Sequence, residues 1–140
     1  MLLGEFIHGL EESGRLTVPS KLRPLLGDQL IMTKGHDRCL YLFGQTEWGR
    51  EAERVRVLPR SERKNRSVLR AFFPAAVSVS LDSHNRITIP PALRDYAHLS
   101  REVAVLGVLD RVEIWDASRW RSFSAAADAE YSGEDPCPER

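Results

Sequence analysis

Two arginines each stand four residues after an acid in closely similar surroundings, Arg15 after Glu11 and Arg86 after Asp82. A carboxylate at that spacing, reached across a tight turn, holds a guanidinium in one rotamer. Two chemistries follow. Either the ion pair rigidifies its turn and does nothing else, or the held guanidinium is presented outward, its planar fork matched to a phosphate or a guanine edge. Residue types alone leave both open.

The elements that would position these groups are duplicated with them. LEESGRLTVPSKLR, Leu10 to Arg23, returns 71 residues later as LDSHNRITIPPALR, Leu81 to Arg94, with six of fourteen positions identical; unrelated stretches of average composition share about one. Between acid and arginine lie Ser13-Gly14 in one copy and His84-Asn85 in the other, residues suited to a turn that needs positive φ. The arginine opens a short alternating strand, Leu16-Thr17-Val18 or Ile87-Thr88-Ile89, whose apolar residues share one face. Pro19 and Pro90 end the strands and suit a first helical turn, so both copies are expected to start a short helix there, running to Arg23 and Arg94. Leu16, Val18, Leu22, Ile87, Ile89 and Leu93 are the expected core of the unit.

This order of acid, turn, arginine, alternating strand, proline and short helix resembles the AbrB-like (SpoVT-AbrB, swapped-hairpin) DNA-binding element. Two copies in one chain of this length, separated by a helical connector and preceded by Met1-Leu2-Leu3-Gly4, resemble the MraZ family of bacterial regulators of the division and cell-wall gene cluster. Departures are local: Glu11 replaces the usual aspartate, Ser13-Gly14 the usual Lys-Gly, and the second copy carries His84-Asn85.

The resemblance implies a β-rich α+β fold in which two pseudo-symmetric swapped-hairpin halves form one intramolecular β-barrel, with connecting and C-terminal helices. It divides the chain into residues 1–48 and 76–122 as repeats, 49–75 as connector, and 123–140 as a helix end and acidic tail. It implies that Arg15 and Arg86 contact DNA, oriented by Glu11 and Asp82, with Thr17, Lys21, Arg23 and Arg94 as helpers. It also implies a nucleoid-associated regulator that binds repeated promoter boxes in double-stranded DNA as a ring-like homo-oligomer. A structural self-assembly protein without DNA specificity is the competing reading. Because Glu11 is longer than the usual aspartate, Arg86 is expected to be the better ordered of the two arginines.

Composition sets the outer limits. The chain has 140 residues, 42% hydrophobic and 29% charged, a globular balance. No apolar run approaches a membrane span, which predicts a cytoplasmic protein with no membrane partner. Cys39 and Cys137 form no metal or redox spacing and read as reduced thiols. Twenty basic and twenty acidic residues cancel, but unevenly: Thr46 to Pro74 carries eight basic against four acidic residues, and Ser124 to Arg140 one against five. Nucleic-acid affinity per subunit is therefore expected to be modest and salt-sensitive.

The remaining segments support this organisation. Leu3 to Leu10 reads as a strand into the first turn. Gln29 to Thr33 and Cys39 to Phe43 make a hairpin around Lys34-Gly35-His36-Asp37. The second copy repeats it as Glu102 to Leu106 and Val112 to Asp116, around a turn at Gly107 to Asp110. The connector predicts one helix capped by Thr46 and broken at Pro59, then another capped by Ser61, running from Glu62 to Phe73. Arg63, Lys64, Arg66 and Arg70 on it read first as a solvated face. Trp48, Phe72, Phe73 and Trp120 serve either the core or an assembly surface. The tail after Ser124 is expected to fray.

Catalytic constellations are missing from the sequence: it has no glycine-rich phosphate loop, nucleophile elbow, HExxH or paired cysteine ligands. His8, His36, His84 and His98 are scattered singly. The expectation is a non-enzyme with no cofactor, metal or small-molecule substrate.

Overall fold

The computed structural model describes residues 1–133. Its core is built by exchange between the two repeats. The first repeat supplies β1 (Leu2–Gly9), β2 (Arg15–Thr17), α1 (Arg23–Leu26), β3 (Gln29–Lys34) and β4 (Leu40–Gly44). Two connector helices follow, α2 (Gln45–Arg56) and α3 (Arg63–Phe72). The second repeat supplies β5 (Val77–Ser80), β6 (Arg86–Thr88), α4 (Pro91–Tyr96), β7 (Glu102–Leu109) and β8 (Arg111–Asp116), and α5 (Ala117–Ser132) ends the described chain.

Six strands form one antiparallel sheet in the order β1-β7-β8-β4-β3-β5. Each repeat's hairpin, β3-β4 or β7-β8, therefore pairs at its outer edge with the opening strand of the other repeat: Leu2 to Gly9 runs against Glu102 to Leu109, and Val77 to Ser80 against Gln29 to Met32. The hairpins meet centrally, Leu40 opposite Ile114 and Leu42 opposite Val112. The pattern is pseudo-twofold, and the swap occurs within one chain. The expected closed barrel is not what the ladders make. Among the described residues no ladder joins β1 to β5, so the sheet is open, and β2 and β6 form a separate two-stranded ladder.

Alternation in the central strands divides the interior in two. Leu40, Leu42, Val103, Val105, Val112 and Ile114 pack on one side with Leu16, Val18, Ile87 and Ile89 of the small ladder and with Leu22 and Leu93. Cys39, Tyr41, Phe43, Ala104, Leu106 and Trp115 face the other way. Both faces being covered, these strands read in sequence as nearly continuous apolar runs. The helices cover the second face. Trp48 of α2 stacks on Phe72 of α3 at 5.4 Å between ring centroids, and Trp120 and Phe123 of α5 lie 5.4 and 4.7 Å from Trp115. Trp48, Phe72 and Trp120 are thus half-buried parts of the second core, and Phe73 rests against Trp48. The buried Thr33 hydroxyl donates to the Phe72 carbonyl at 2.5 Å, joining α3 to β3.

Several sequence expectations shift in detail. The first motif helix starts at Arg23 and not Pro19, because Pro24 stands at the beginning of α1 and, lacking an N–H, cannot bond back into an earlier turn. The second copy has Asp95 there, and α4 begins at Pro91 as expected. Helix α2 is capped by Gly44 and not Thr46, so β4 enters it without a loop. Glu62 rather than Ser61 caps α3; the buried Asn65 amide, donating to the Pro59 carbonyl at 2.8 Å, closes that turn one residue later. The turn of the second hairpin is shorter than expected, with Val108 opposite Arg111, since pairing with β1 extends β7 to Leu109. Residues 124–132 are helical and not frayed; Ala125, Ala126, Ala127 and Ala129 are strong helix formers. Cys137 and the end of the acidic tail lie outside the described residues. Cys39 is buried and free, and burial pushes its thiol far above the ordinary range.

Candidate nucleic-acid interface

The two motif turns have one backbone design. In the first, the Gly14 amide donates to the Glu11 carbonyl at 2.8 Å and the Glu11 amide to the Arg15 carbonyl at 3.1 Å; in the second, Asn85 donates to Asp82 at 3.0 Å and Asp82 to Arg86 at 2.9 Å. Gly14 and Asn85, at matching positions, have φ of +89° and +60°, the left-handed region that the turn demands. Each turn is closed by the other repeat. Val18 donates its amide to the Asn85 carbonyl at 3.0 Å, and Ile89 donates to Gly14 at 2.8 Å.

The strands that follow the turns pair with each other, Arg15 opposite Thr88, Leu16 opposite Ile87 and Thr17 opposite Arg86. Leu16 and Ile87 are buried, so the period of two sends Arg15, Thr17, Arg86 and Thr88 to the outer face. The threonines are exposed and the arginines half-exposed. Two arginines separated by 71 residues of sequence thus occupy diagonal sites on one small ladder.

Their acids behave differently. Asp82 Oδ1 accepts the backbone amides of His84 at 2.8 Å and Arg86 at 2.9 Å, and Oδ2 accepts Arg86 Nε at 2.9 Å. Those bonds, the Arg86 amide first, hold its carboxyl below the usual carboxylate range. Glu11 makes no such turn bonds. Its Oε1 accepts Arg15 Nη2 at 3.2 Å and its Oε2 accepts Arg86 Nη1 at 3.3 Å. Arg15 also donates from Nε to Ser13 Oγ at 3.1 Å. Arg86 is the more enclosed, its side chain 22% exposed against 43% for Arg15.

The other expected contributors are spread around this patch. Thr17 lies on it. Lys21 is exposed and Arg23 half-exposed just beyond the first strand, and neither has an acid partner among the described residues. Arg94 is folded back, donating from Nη1 to the Glu12 carbonyl at 3.2 Å and lying against Gly14, so it braces the first turn. Sequence reasoning missed Thr88 and Ser13. Thr88 was findable as the repeat mate of Thr17; Ser13 carried no signal. A second cationic group was also missed: the Arg38 guanidinium and Lys34 Nζ lie 4.8 and 5.2 Å from the centre of the Tyr96 ring, and Arg119 donates to the carbonyls of Asp37 and Arg38 at 2.8 and 2.9 Å. On α2, Arg50, Arg54 and Arg56 are paired with Glu47, Glu51 and Glu53. No three His, Cys, Asp or Glu side chains converge as a metal site among the described residues.

The family model described as MraZ protein matches the chain twice, over residues 1–71 and 72–136. The transcriptional regulators MraZ of Alkaliphilus metalliredigens and Desulforamulus reducens are each 40% identical over 131 residues, spanning 94% of this chain and 92% of theirs. That of an Arthrobacter species, strain FB24, is 42% identical over 135 residues, 96% of this chain and 95% of its own. These relatives are named as regulators of transcription and not as enzymes. With the duplicated motif, the exchanged strands and both family matches in agreement, the chain belongs to the MraZ family.

Proposed function

We propose that this protein is a bacterial transcriptional regulator that grips duplex DNA with the outer face of the β2-β6 ladder. The observation that carries the reading is the convergence of Arg15 and Arg86, one from each repeat, on that single exposed face. A two-stranded ribbon fits the major groove, where a guanidinium pairs with a guanine edge, and the same group neutralises a phosphate at the groove's rim. Thr17, Lys21 and Arg23 extend the contact, and Glu11 and Asp82 orient the arginines. The chain's zero net charge keeps one subunit's affinity low. A ring-like homo-oligomer engaging repeated promoter boxes of the division and cell-wall cluster raises it through effective concentration. Such a protein works in the cytoplasm on the nucleoid.

One observation favours the structural alternative: Arg86 already faces two carboxylates, as an arginine does when it only fastens a turn. Duplexes selected from a random pool by the full chain separate the readings. Arg15→Ala and Arg86→Ala are each expected to weaken binding by roughly 1–3 kcal/mol if a base is read, or to lower the salt slope by about one if a phosphate is neutralised. Unchanged affinity in the double variant would end the DNA reading, and a changed oligomer size with unchanged affinity would establish the structural one.

A further inference from the structure

Glu11 differs from its repeat mate Asp82 by one methylene, and the two carboxylates are used differently. Asp82 is occupied within its own turn, both oxygens accepting from residues 84 and 86. The first turn forms without that help, because Gly14 takes positive φ unaided. The Glu11 carboxylate is left for the guanidiniums, and its extra length carries it across the ladder to an arginine 75 residues away. One oxygen serves Arg15 and the other Arg86. No symmetric counterpart exists among the described residues, since Asp82 pairs with Arg86 alone.

We infer that Glu11 is a positioning residue that couples Arg15 and Arg86 into one DNA-reading unit, an inference that rests on the DNA reading proposed above. Arg15 and Arg86 sit at diagonal positions on neighbouring strands, close enough for long side chains to interact, and their like charges repel. A carboxylate between them offsets that repulsion and fixes their separation, so a base edge or phosphate engaging one meets the other at a set distance. Charge-assisted bonds of this kind fix geometry as well as supplying energy. The two repeats are therefore unequal: Arg86 is held from both sides, by Asp82 and Glu11, whereas among the described residues Arg15 meets no carboxylate but Glu11.

A double-mutant cycle on the full chain tests this, with the duplex that wild type selects from a random pool as probe and fluorescence anisotropy as readout. In wild type the losses from Arg15→Ala and Arg86→Ala should combine less than additively, with a discrepancy of at least about threefold in affinity, as for residues sharing one network. In a Glu11→Gln background the same losses should become additive. Glu11→Asp retains the charge and withdraws the reach, and it should abolish the coupling as Gln does. Additive losses in wild type, or coupling that survives either Glu11 variant, would overturn the inference while leaving the DNA reading intact. If neither arginine variant changes affinity, the DNA reading itself has failed, and the inference with it.

Discussion

The Gly14 carbonyl accepts the Ile89 amide at 2.8 Å. That bond ties the turn of one repeat to the end of the other's strand, and its pseudo-symmetric mate ties Asn85 to Val18. Neither turn is complete within its own repeat. A Cβ on Gly14 would lie 2.7 Å from the Ile89 backbone carbonyl oxygen, at a φ of +89°. Gly14→Ala is expected to destabilise the fold by about 1–3 kcal/mol, read as a lowered denaturant midpoint. Asn85→Gly, at the matching position, should be close to neutral.

The exchanged strands predict that the repeats do not fold apart. Residues 1–74 lose the partners of β1 and β2, and residues 75–140 lose those of β5 and β6. Expressed singly, neither should give a cooperatively melting monomer; mixed, they should recover the near-UV dichroism of the intact chain. A cooperative monomer from each fragment would contradict the exchange.

Asp82 sets an acid limit on the second turn. Its carboxyl is held below the ordinary range by the Arg86 amide first and then the His84 amide and the Arg86 guanidinium. The folded value lies below the unfolded one, so this stabilisation is complete above the unfolded value near pH 4 and is lost as pH falls through the folded value. Carboxyl NMR should place the Asp82 midpoint below that of a peptide aspartate, and Asp82→Asn should flatten the acid limb of stability. A midpoint at or above about 3.9 refutes it.

The planar fork of arginine separates base from phosphate contact. Arg15→Lys retains charge and loses bidentate geometry. On the selected duplex it should bind nearly as wild type if Arg15 meets a phosphate, and approach Arg15→Ala if it reads a guanine. Because Arg86 faces two carboxylates, Arg86→Lys should cost more than Arg15→Lys in either case.

Strand β1 is an eight-residue sheet edge with Leu3 62% and Ile7 44% exposed. Apolar edges pair or are covered, and the proposed ring would use this one. Ile7→Lys should reduce the sedimenting mass at micromolar concentration while shifting monomer stability by no more than about 0.5 kcal/mol. Unchanged mass would place the assembly contact elsewhere.

The repeat made most of this site legible. Aligning two stretches identified the turns, the strands and the inward residues Leu16 and Ile87, since period-two alternation is local information. The β2-β6 pairing was not readable locally, because it joins residues 71 apart; the swapped-hairpin resemblance implied only that the two halves pair within one chain, not which strands meet. Glu11 illustrates the limit. Its substitution for aspartate was visible, but its reach to Arg86 depends on the register of two strands. Helix starts were displaced for local reasons, Pro24 in α1 and Asn65 in α3. The group formed by Lys34, Arg38, Tyr96 and Arg119 comes from four separate elements, and nothing in the sequence ties them together.

The pairing of β1 with β7 also orders events in time. Gly9 lies opposite Glu102, 93 residues later. At the usual 5–20 residues per second of synthesis, roughly 5 to 20 s pass between them. Through that interval the first strand has no partner in existence, and once it emerges from the ribosome its apolar residues Leu2, Leu3, Phe6 and Ile7 are open to any other edge. Crowded translation of one message places other nascent copies of the same strand within reach, so the protein's most exposed moment comes before its own last third has been made.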